Sequence, residues 1–289
     1  MKTVGMVGVG DMGTPMAKNL IKAGYPLYVY DIDQSKTDRL APAGAKKAAD
    51  ARDLAAQCDV VLTVLTWPNV VEAAVLGDGG VLSGMKKGAI LVECSSIDPE
   101  TSKRIGAKVE AAGCRYVETA LMGQPFDVES REIFFLSAGD KATVQECEPL
   151  YLALGRKNLY SGGVGSAKFL KITDAMCNAT ETMIMDEALT WSVDNQVAPE
   201  AFLALVKESR PRRASNLERL IKGTGFNTRP SWTAKDVHHG FEIGEKKEIY
   251  TPLLKTVNSV IELAQSQNKE GYSFGGMMYK HYESNRKKA

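Results

Sequence analysis

Several features are scarce or missing in this sequence. No stretch approaches the roughly 18 uninterrupted apolar residues of a membrane-spanning helix, and the apolar start at residues 4–9 is broken by Gly10 and Asp11. We therefore expect neither a membrane span nor a signal peptide. Because 36 Lys and Arg residues balance 35 Asp and Glu residues, the formal net charge of +1 provides no basic field for phosphate backbones. We expect no nucleic-acid partner and no membrane association.

Cysteine and histidine are sparse as well. The five cysteines, at positions 58, 94, 114, 147 and 177, are odd in number and never form a C-x-x-C pair. This pattern is typical of reduced thiols in a cytoplasmic protein. His238, His239 and His281 lack the spacing that places two metal ligands on one helical face. The expectation is a cytoplasmic protein with no disulfide and no metal site.

The N-terminal segment has the pattern of a dinucleotide-binding βαβ unit. A short apolar run ends in the sequence GVGDMG, and apolar residues then recur at helical spacing as far as Gly24. A second apolar run leads directly into Asp31, about 20 residues after the glycines. Gly8 would permit a tight turn, Gly10 would let the backbone approach a pyrophosphate, and Gly13 would allow close helix packing. The alternative is a structural turn of small residues.

Asp31 predicts which nicotinamide cofactor binds. Its carboxylate would accept hydrogen bonds from the 2′-hydroxyl of an adenosine ribose and would repel a 2′-phosphate, which favours NAD over NADP. Lys36 and Arg39 lie nearby in the sequence, and a cation within reach could partly restore phosphate binding. The cofactor-binding residues predicted from this unit and from the strand ends that follow it are Gly8, Gly10, Asp11, Met12, Gly13, Asp31, Leu65, Thr66 and Ser96.

Strands and helices continue to alternate after this unit. The segments with strand or helix patterns are, in chain order, 48–57 (helix), 60–65 (strand), 70–75 (helix), 89–92 (strand), 116–117 (strand) and 133–136 (strand). This order indicates an α/β fold with a doubly wound parallel sheet, whose ligand lies beyond the carboxyl ends of the strands. The loops 65–69 and 93–96 are therefore candidates for the cofactor site. Ser96 would either contact the nicotinamide half or cap the helix that follows it.

The second half of the chain has helical patterns throughout. No glycine or proline interrupts residues 166–196, which predicts one long helix. From Pro199 onward a Leu-rich amphipathic pattern predicts helices to the C terminus, with breaks at 223–230 and 271–276. The expected organisation is an N-terminal Rossmann-type nucleotide-binding domain over residues 1–163, a long interdomain helix over 164–196 and an all-helical C-terminal domain over 197–289.

A polar stripe follows the predicted long helix. Lys171, Asp174 and Asn178 are spaced by three and four residues, so they share one face of the helix. Polar residues among apolar neighbours suggest that this face lines a cleft. The alternative is a solvent-facing stripe with an ordinary Lys–Asp pair.

Three motifs together resemble the β-hydroxyacid dehydrogenase family, which includes 3-hydroxyisobutyrate dehydrogenases and enzymes that reduce tartronate semialdehyde. The motifs are GVGDMGTPMAKNL at residues 8–20, the glycine-rich stretch at 162–171, and the sequence AKD at 234–236. The resemblance covers nearly the whole chain. It implies an N-terminal Rossmann domain, a long interdomain helix and a helical C-terminal domain, assembled as homodimers or homotetramers. It also implies an NAD(P)-dependent oxidoreductase that acts on the CH–OH group of a small-molecule substrate.

The resemblance also assigns expected roles to three lysines. In the family a lysine on the interdomain helix is the general acid/base, and its motif position corresponds to Lys171. An ammonium there could protonate a carbonyl oxygen, and the neutral amine could take the proton back in the reverse direction. Lys168, one turn earlier, is the less favoured candidate. Lys235 corresponds to a family lysine near the cofactor, so it joins the predicted cofactor-binding residues.

Two departures from the family pattern concern the substrate. Where the family has an asparagine three residues after the lysine, this chain has Asp174, which would repel a carboxylate. The family's substrate loop usually has the sequence DAPVSGG, whereas residues 118–124 are ETALMGQ, so Met122 removes a hydroxyl donor. We expect a substrate with a less acidic or a cationic group, such as a polyol, an amino alcohol or an imine. The residues expected to bind it are Met122, Gly123, Gln124, Asn178 and His238.

Three functional hypotheses follow. The first is an NAD-dependent dehydrogenase or reductase of a small hydroxyl or carbonyl compound, with Lys171 and Asp174 in the catalytic site. The second is an imine reductase in which Asp174 donates the proton. The third is a non-catalytic nucleotide-binding homologue. Phe226 and Trp232 could line the substrate pocket. Three arginines could either clamp an anionic group of the substrate or lie in a solvated turn between helices: Arg210, Arg212 and Arg213.

Overall fold

Two units make up the chain, Met1–Lys171 and Ile172–Ala289. The computed structural model describes residues 1–223 and 232–285. The first unit carries all the strands found in this described part, and the second is helical. The α/β fold class predicted from the sequence is confirmed. The domain boundaries predicted at residues 163 and 196 remain predictions.

An eight-stranded sheet forms the centre of the first unit. Its strands are β1 Val4–Val7, β2 Leu27–Tyr30, β3 Lys46–Lys47, β4 Val60–Thr63, β5 Ile90–Glu93, β6 Arg115–Met122, β7 Phe134–Gly139 and β8 Lys157–Gly162. They lie in the order β3-β2-β1-β4-β5-β6-β7-β8. Neighbouring strands pair in parallel, except that β6 and β7 are antiparallel. The reversal of order at β1 and β4 is the topological switch point, where sheets of this class bind their ligands.

Helices cover both faces of this sheet. They are α1 Gly13–Lys22, α2 Gln34–Asp38, α3 Ala51–Gln57, α4 Pro68–Leu76, α5 Val81–Gly84, α6 Pro99–Ala111, α7 Pro125–Glu129, α8 Lys141–Glu146 and α9 Glu148–Leu154, with a 3₁₀ turn at Ala41–Ala43. Successive strand residues enter opposite cores: Met6 and Leu62 belong to one buried cluster, and Val7 and Val61 to the other. Burial on both faces explains the continuous apolar runs seen in the sequence.

The strands that the sequence analysis missed lie at the two edges of the sheet. Strand β3 consists of two exposed lysines, and β8 is largely exposed, so neither has the apolar run of an inner strand. The helix predicted from residue 48 begins later, at Ala51, because the Asp50 side chain accepts the Asp53 N–H and caps the helix. The predicted strand 60–65 ends at Thr63.

The long helix predicted from the sequence is present as α10, Ser166–Asp194, and the division between the two units falls within it, after Lys171. The second unit continues with α11 Pro199–Ser209, α12 Pro211–Ile221, α13 Trp232–Lys246, α14 Pro252–Gln267 and α15 Phe274–Asn285. The predicted break at 271–276 is wrong in its second half, because Gly275 and Gly276 lie inside α15. Most of the break predicted at 223–230 lies outside the described residues. No helix of the described part is long and apolar enough to span a membrane.

All five cysteines lie in the described part of the chain and are free thiols. Cys58, Cys94, Cys114 and Cys147 are buried, whereas Cys177 on α10 is exposed. Burial raises the pKa of Cys58 to about 12 and that of Cys147 to about 11. The buried thiols therefore act as small apolar side chains, with little thiolate at neutral pH.

Candidate functional site

The glycine-rich turn between β1 and α1 forms a cradle in which Gly8 and Gly13 leave no room for a side chain. Gly8 has a φ of 92°, and a Cβ atom placed on it would lie 2.4 Å from the Val64 carbonyl oxygen. A Cβ on Gly13 would lie 2.2 Å from the Gly8 carbonyl oxygen, so α1 can approach the turn only without a side chain there. A Cβ on Gly10 would meet nothing within 4 Å. The backbone at Gly10 is therefore open to a ligand.

The N terminus of α1 faces this open backbone. Met12 is the N-cap residue, and no side chain of the described part caps the helix. Asp11, just before it, is exposed. Free N–H groups and the helix dipole favour an anion at such a position. The open space over Gly10 and the uncapped helix fit the pyrophosphate of a dinucleotide.

Asp31 follows the end of β2 and is almost completely buried. Its Oδ2 accepts the Val9 N–H at 2.9 Å, and its Oδ1 accepts the Asp33 N–H at 2.9 Å. Lys36 Nζ lies 3.5 Å from Oδ1. The two backbone N–H groups fix the carboxylate beside the glycine turn, as a ribose-binding acid requires.

A cavity of about 280 Å³ opens beside this carboxylate. The residues that line it are Tyr30, Asp31, Gln34, Thr37, Lys47, Ala48 and Ala49. Ile32 stands next to Asp31 with 90% of its surface exposed, and it offers an apolar face of the kind that an adenine ring can cover. The sequence analysis missed Ile32, although an apolar residue between two aspartates was the available signal.

The loops after β4 and β5 meet at the same edge of the sheet. The Leu65 N–H donates to Ser95 Oγ at 2.9 Å, and Thr66 beside it is exposed. Asp98, and not Ser96, caps α6, because its side chain accepts the Thr101 N–H at 2.9 Å. The capping alternative for Ser96 is therefore wrong.

Lys171 lies in the first turns of α10 and contacts the loop after β5 and the carboxyl end of β6. Its Nζ donates to Ser96 Oγ at 2.8 Å and to the Leu121 carbonyl oxygen at 3.3 Å. The side chain is half-buried. Lys168, one turn earlier, is fully buried and forms an ion pair with Glu93 at 2.8 Å. Of the two lysines considered from the sequence, Lys171 is the more accessible.

The predicted substrate loop is partly structural. Met122 packs with Phe134 against a small cluster that includes Ala167. Gly123 has a φ of 156°, and the Gln124 N–H donates to Asp127 Oδ2 at 2.6 Å at the start of α7. The loop is thus held in one conformation by its own hydrogen bonds.

In the second unit, a chain of polar contacts links α10 and α12. Asn178 Nδ2 donates to Asp174 Oδ2 at 2.7 Å, and Asn178 Oδ1 accepts from Arg213 Nη2 at 3.0 Å. Arg213 also forms an ion pair with Glu181, which the sequence analysis did not single out although it continues the stripe one turn further. The structure therefore joins Asp174 and Asn178 to Arg213.

The other predicted residues of the second unit have different surroundings. Arg210 and Arg212 are exposed, and Arg210 Nη1 donates to Ser209 Oγ at 3.1 Å. The His238 ring lies 3.5 Å from Glu242 and 3.7 Å from Glu262, and Lys235 Nζ lies 3.8 Å from Asp236 Oδ1. Phe226 is outside the described residues. Trp232 begins α13, and only its backbone is described.

No group of three or more His, Cys, Asp or Glu residues in the described ranges could hold a metal ion.

The glycine cradle, the buried carboxylate after β2 and the lysine at the strand ends define a dinucleotide-binding protein of the Rossmann class.

Comparison with known proteins narrows this class. The family model for the NAD-binding domain of 6-phosphogluconate dehydrogenase matches residues 3–163. An NAD-dependent L-serine dehydrogenase of Pseudomonas aeruginosa is 32% identical over 209 residues, which cover 72% of this chain and 70% of that protein. The mitochondrial 3-hydroxyisobutyrate dehydrogenase of Rattus norvegicus is 32% identical over 210 residues, which cover 72% of this chain and 62% of that protein. The chain belongs to the β-hydroxyacid dehydrogenase family, whose NAD-binding domain it carries.

Solved structures show the same fold. A 3-hydroxyisobutyrate dehydrogenase of Mycobacterium tuberculosis, described with L-serine, has a TM-score of 0.87 at 19% identity, with 97% of this chain and 99% of that chain covered. The V8 variant of an imine reductase of Myxococcus stipitatus, in complex with NAD⁺, has a TM-score of 0.66 at 20% identity, with 96% of this chain and 98% of that chain covered. At these identities the likeness establishes the fold alone.

Proposed function

We propose that this protein is an NAD-dependent dehydrogenase or reductase that transfers a hydride between nicotinamide and a small hydroxyl or carbonyl substrate. The observation that carries the proposal is the contact of Lys171 Nζ with Ser96 Oγ and the Leu121 carbonyl oxygen. Both partners lie at carboxyl ends of strands, where doubly wound sheets hold their ligands. The two contacts hold the Lys171 amine at the carboxyl ends of the strands.

Lys171 is the general acid/base of the proposed reaction. A bound nicotinamide would supply or accept the hydride. In the direction of reduction the Lys171 ammonium donates a proton to the substrate oxygen, and in oxidation the neutral amine accepts it. Ser96 Oγ and the Leu121 carbonyl oxygen orient Nζ, so that little conformational entropy is lost at the moment of reaction. Lys235, on α13, is proposed as a cofactor contact.

We infer that NAD is favoured over NADP. The Asp31 carboxylate is held by two backbone N–H groups in a position where a ribose hydroxyl could donate to it. Its negative charge opposes a 2′-phosphate. Lys36 Nζ, 3.5 Å from Asp31 Oδ1, weakens this opposition and so reduces the size of the expected preference for NAD.

The proposed substrate carries an amino group or neutral hydroxyls beside the reacting carbon. The polar chain on α10 contains two carboxylates, Asp174 and Glu181, against the single guanidinium of Arg213. A substrate ammonium group would be attracted by this excess of negative charge, whereas a substrate carboxylate would be repelled. A β-hydroxy amino acid satisfies the same chemistry, and one relative is named for L-serine. Met122, Gly123, Gln124, Asn178 and His238 are proposed to shape the substrate site.

Replacement of the lysine tests this function. Lys171→Met should lower kcat by roughly 10²- to 10⁴-fold, the usual contribution of a general acid/base, while the Kd for NAD stays unchanged. The measurement is nicotinamide absorbance with a panel of hydroxy acids, β-hydroxy amino acids, amino alcohols and polyols, with NAD and NADP in parallel. Lys222→Met, which removes an exposed lysine at the end of α12, serves as the control.

The same panel separates the alternatives. Retained turnover of a cyclic imine by Lys171→Met, together with its loss in Asp174→Asn, would replace the proposal by imine reduction; the exposed carboxylate at Asp174 is the observation behind that candidate. Absence of turnover by the wild-type protein on every substrate would indicate a non-catalytic nucleotide-binding protein.

The protein is further proposed to work in the cytoplasm as a homodimer or homotetramer. Two large apolar side chains on α10 remain exposed in the single chain, Ile184 at 56% and Trp191 at 69%. They are seven residues apart and so share a helical face. The four buried free thiols are typical of a reducing compartment.

A further inference from the structure

Lys168 and Lys171 of α10 bind to the last residues of β6, which extend past the end of β5. Strand β6 extends beyond Glu118, where its pairing with β5 ends. Carbonyl groups alternate in direction along a strand, so those of Thr119 and Leu121 point to the same side. The Thr119 carbonyl oxygen accepts from Lys168 Nζ at 2.7 Å, and the Leu121 carbonyl oxygen accepts from Lys171 Nζ at 3.3 Å.

Lys168 is buried, with 1% of its surface exposed, and its ammonium is fully engaged. Nζ donates to the carbonyl oxygens of Ser95 and Thr119, both at 2.7 Å, and to that of Glu93 at 3.4 Å, and it also forms an ion pair with Glu93 Oε2 at 2.8 Å. These contacts account for the three N–H bonds of an ammonium group. Lys168 therefore has no proton to offer a substrate, and its charge is balanced inside the sheet edge.

The acceptors of Lys168 lie within one or two residues of the acceptors of Lys171 in the chain. Ser95 precedes Ser96, whose Oγ contacts Lys171, and Thr119 precedes Leu121 on the same side of β6. A displacement of Lys168 would therefore move both groups that orient the amine of Lys171.

The Glu118 carboxylate holds the first turn of α10 in place. Its carboxylate accepts the N–H groups of Gly165 and Ala167 at 2.8 Å and that of Lys168 at 3.1 Å, and it also accepts from Ser102 Oγ at 2.5 Å. A carboxylate supplied by a sheet strand thus takes the place of an N-cap side chain and lies at the positive end of the helix dipole. The start of α10 cannot rotate or slide without losing these hydrogen bonds.

We propose that Glu93, Glu118 and Lys168, which we call the anchor cluster, are positioning residues for Lys171. This inference rests on the proposed function and deepens it. The anchor cluster does not touch the reacting atoms. It holds the first turn of α10 against β6 and the Ser96 loop, so that the Lys171 amine is presented in one place.

Two variants of the cluster and one control test this role. Glu93→Gln combined with Lys168→Met removes both buried charges together and leaves neither uncompensated. Glu118→Gln keeps the side-chain volume but replaces one acceptor oxygen by a donor, and it gives the same comparison where the double variant does not fold. The control, Tyr151→Phe, removes a buried hydrogen bond to Thr119 Oγ1 without touching the anchor cluster. Circular dichroism and thermal unfolding establish that each protein is folded.

The readout is the reactivity of Lys171 itself, in addition to turnover. Trace acetylation with acetic anhydride, followed by peptide mass spectrometry, measures the labelling rate of Lys171 relative to the exposed Lys222 in the same sample. We expect this ratio to rise severalfold in both cluster variants and to stay at the wild-type value in Tyr151→Phe. We expect kcat to fall by roughly 10²-fold, as for a misplacement near 1 Å, with an unchanged KM for NAD.

Each outcome bears on the proposal. A wild-type labelling ratio in a folded cluster variant overturns it, whatever the effect on kcat. A raised ratio with a lower kcat and an unchanged KM for NAD supports it. If the wild-type protein turns over no substrate, the proposed function fails, but the labelling ratio still decides whether the anchor cluster positions the amine.

Discussion

At the scale of single residues, the surroundings of a side chain determine its chemistry more than its type does. Lys168 and Lys171 are one turn apart on the same helix. One is buried in an ion pair with Glu93, and the other is half-buried against Ser96 and a carbonyl oxygen. The sequence could rank the two lysines only through the family motif, because burial and partners depend on strands that are distant along the chain.

Asp31 supports a prediction about cofactor choice. Asp31→Asn should reduce the preference for NAD over NADP by about tenfold, or about 1.4 kcal/mol, because the charge that opposes a 2′-phosphate is lost while one acceptor oxygen remains. Isothermal titration of the two nucleotides gives the ratio of dissociation constants. Asp33→Asn, which removes an exposed carboxylate two residues away, should leave the ratio unchanged. An unaltered ratio in Asp31→Asn would contradict the assigned role.

Asp186, on α10, supports a prediction about pH. Burial raises the pKa of this carboxyl from 3.8 to about 8, and its Oδ2 has no hydrogen-bond partner within the described chain. Between about pH 4 and pH 8 the folded state therefore keeps a proton that the unfolded chain releases. The free energy of unfolding should fall with rising pH across this window, by on the order of 1.4 kcal/mol per pH unit.

Asp186→Asn should abolish this pH dependence and make the protein more stable than the wild type at pH 8. Urea unfolding at pH 5.5, 7.0 and 8.5 measures the effect. Asp194→Asn, at the exposed end of the same helix, should retain the wild-type slope. A wild-type slope in Asp186→Asn would show that another group titrates.

At the scale of elements, the glycine turn offers a matched pair of substitutions. A Cβ at Gly10 meets nothing within 4 Å, so Gly10→Ala should fold with an unchanged Tm but should bind NAD at least tenfold more weakly, because the methyl group occupies the space over the turn. A Cβ at Gly13 would lie 2.2 Å from the Gly8 carbonyl oxygen, so Gly13→Ala should lose about 1–3 kcal/mol of stability. Thermal unfolding and nucleotide titration separate the two effects. Tight NAD binding by Gly10→Ala would contradict the pyrophosphate assignment.

The elements best predicted from the sequence are those whose pattern is local. The β1-α1-β2 unit and the 29-residue α10 follow from apolar periodicity and from the absence of glycine and proline. The edge strands β3 and β8 could not be predicted in this way, because their side chains are exposed and they depend on pairing with a neighbour. The capping of α6 by Asp98 and not Ser96 depends on backbone angles that composition does not specify.

At the scale of the whole molecule, the candidate site is assembled by topology. Ser96, Leu121 and Lys171 are far apart in the chain and meet because β5, β6 and α10 converge. The sequence identified Lys171 and Ser96 separately, but not their contact or the part played by Glu118. Ion pairs such as that of Arg213 with Glu181 also arise only when two helices pack.

Assembly into oligomers supports a prediction at this scale. Trp191→Glu places a charge in the exposed apolar face shared with Ile184, and it should shift the protein toward a monomer at micromolar concentration. Light scattering coupled to size-exclusion chromatography gives the mass. Glu208→Lys, a charge change on exposed surface of α11, should keep the wild-type mass. An unchanged mass in Trp191→Glu would exclude this face from the interface.

The distribution of thiols has a consequence for how the native protein meets electrophiles and oxidants. Four sulfur atoms are enclosed by the fold, and burial keeps those of Cys58 and Cys147 in the thiol form, whereas Cys177 is open to solvent. Among the cysteines of the folded chain, a maleimide or a low dose of peroxide would therefore modify only Cys177 on α10. Modification at a second cysteine would show that the fold had opened. Cys177 is therefore a labelling site on the native protein, and the four buried cysteines report unfolding.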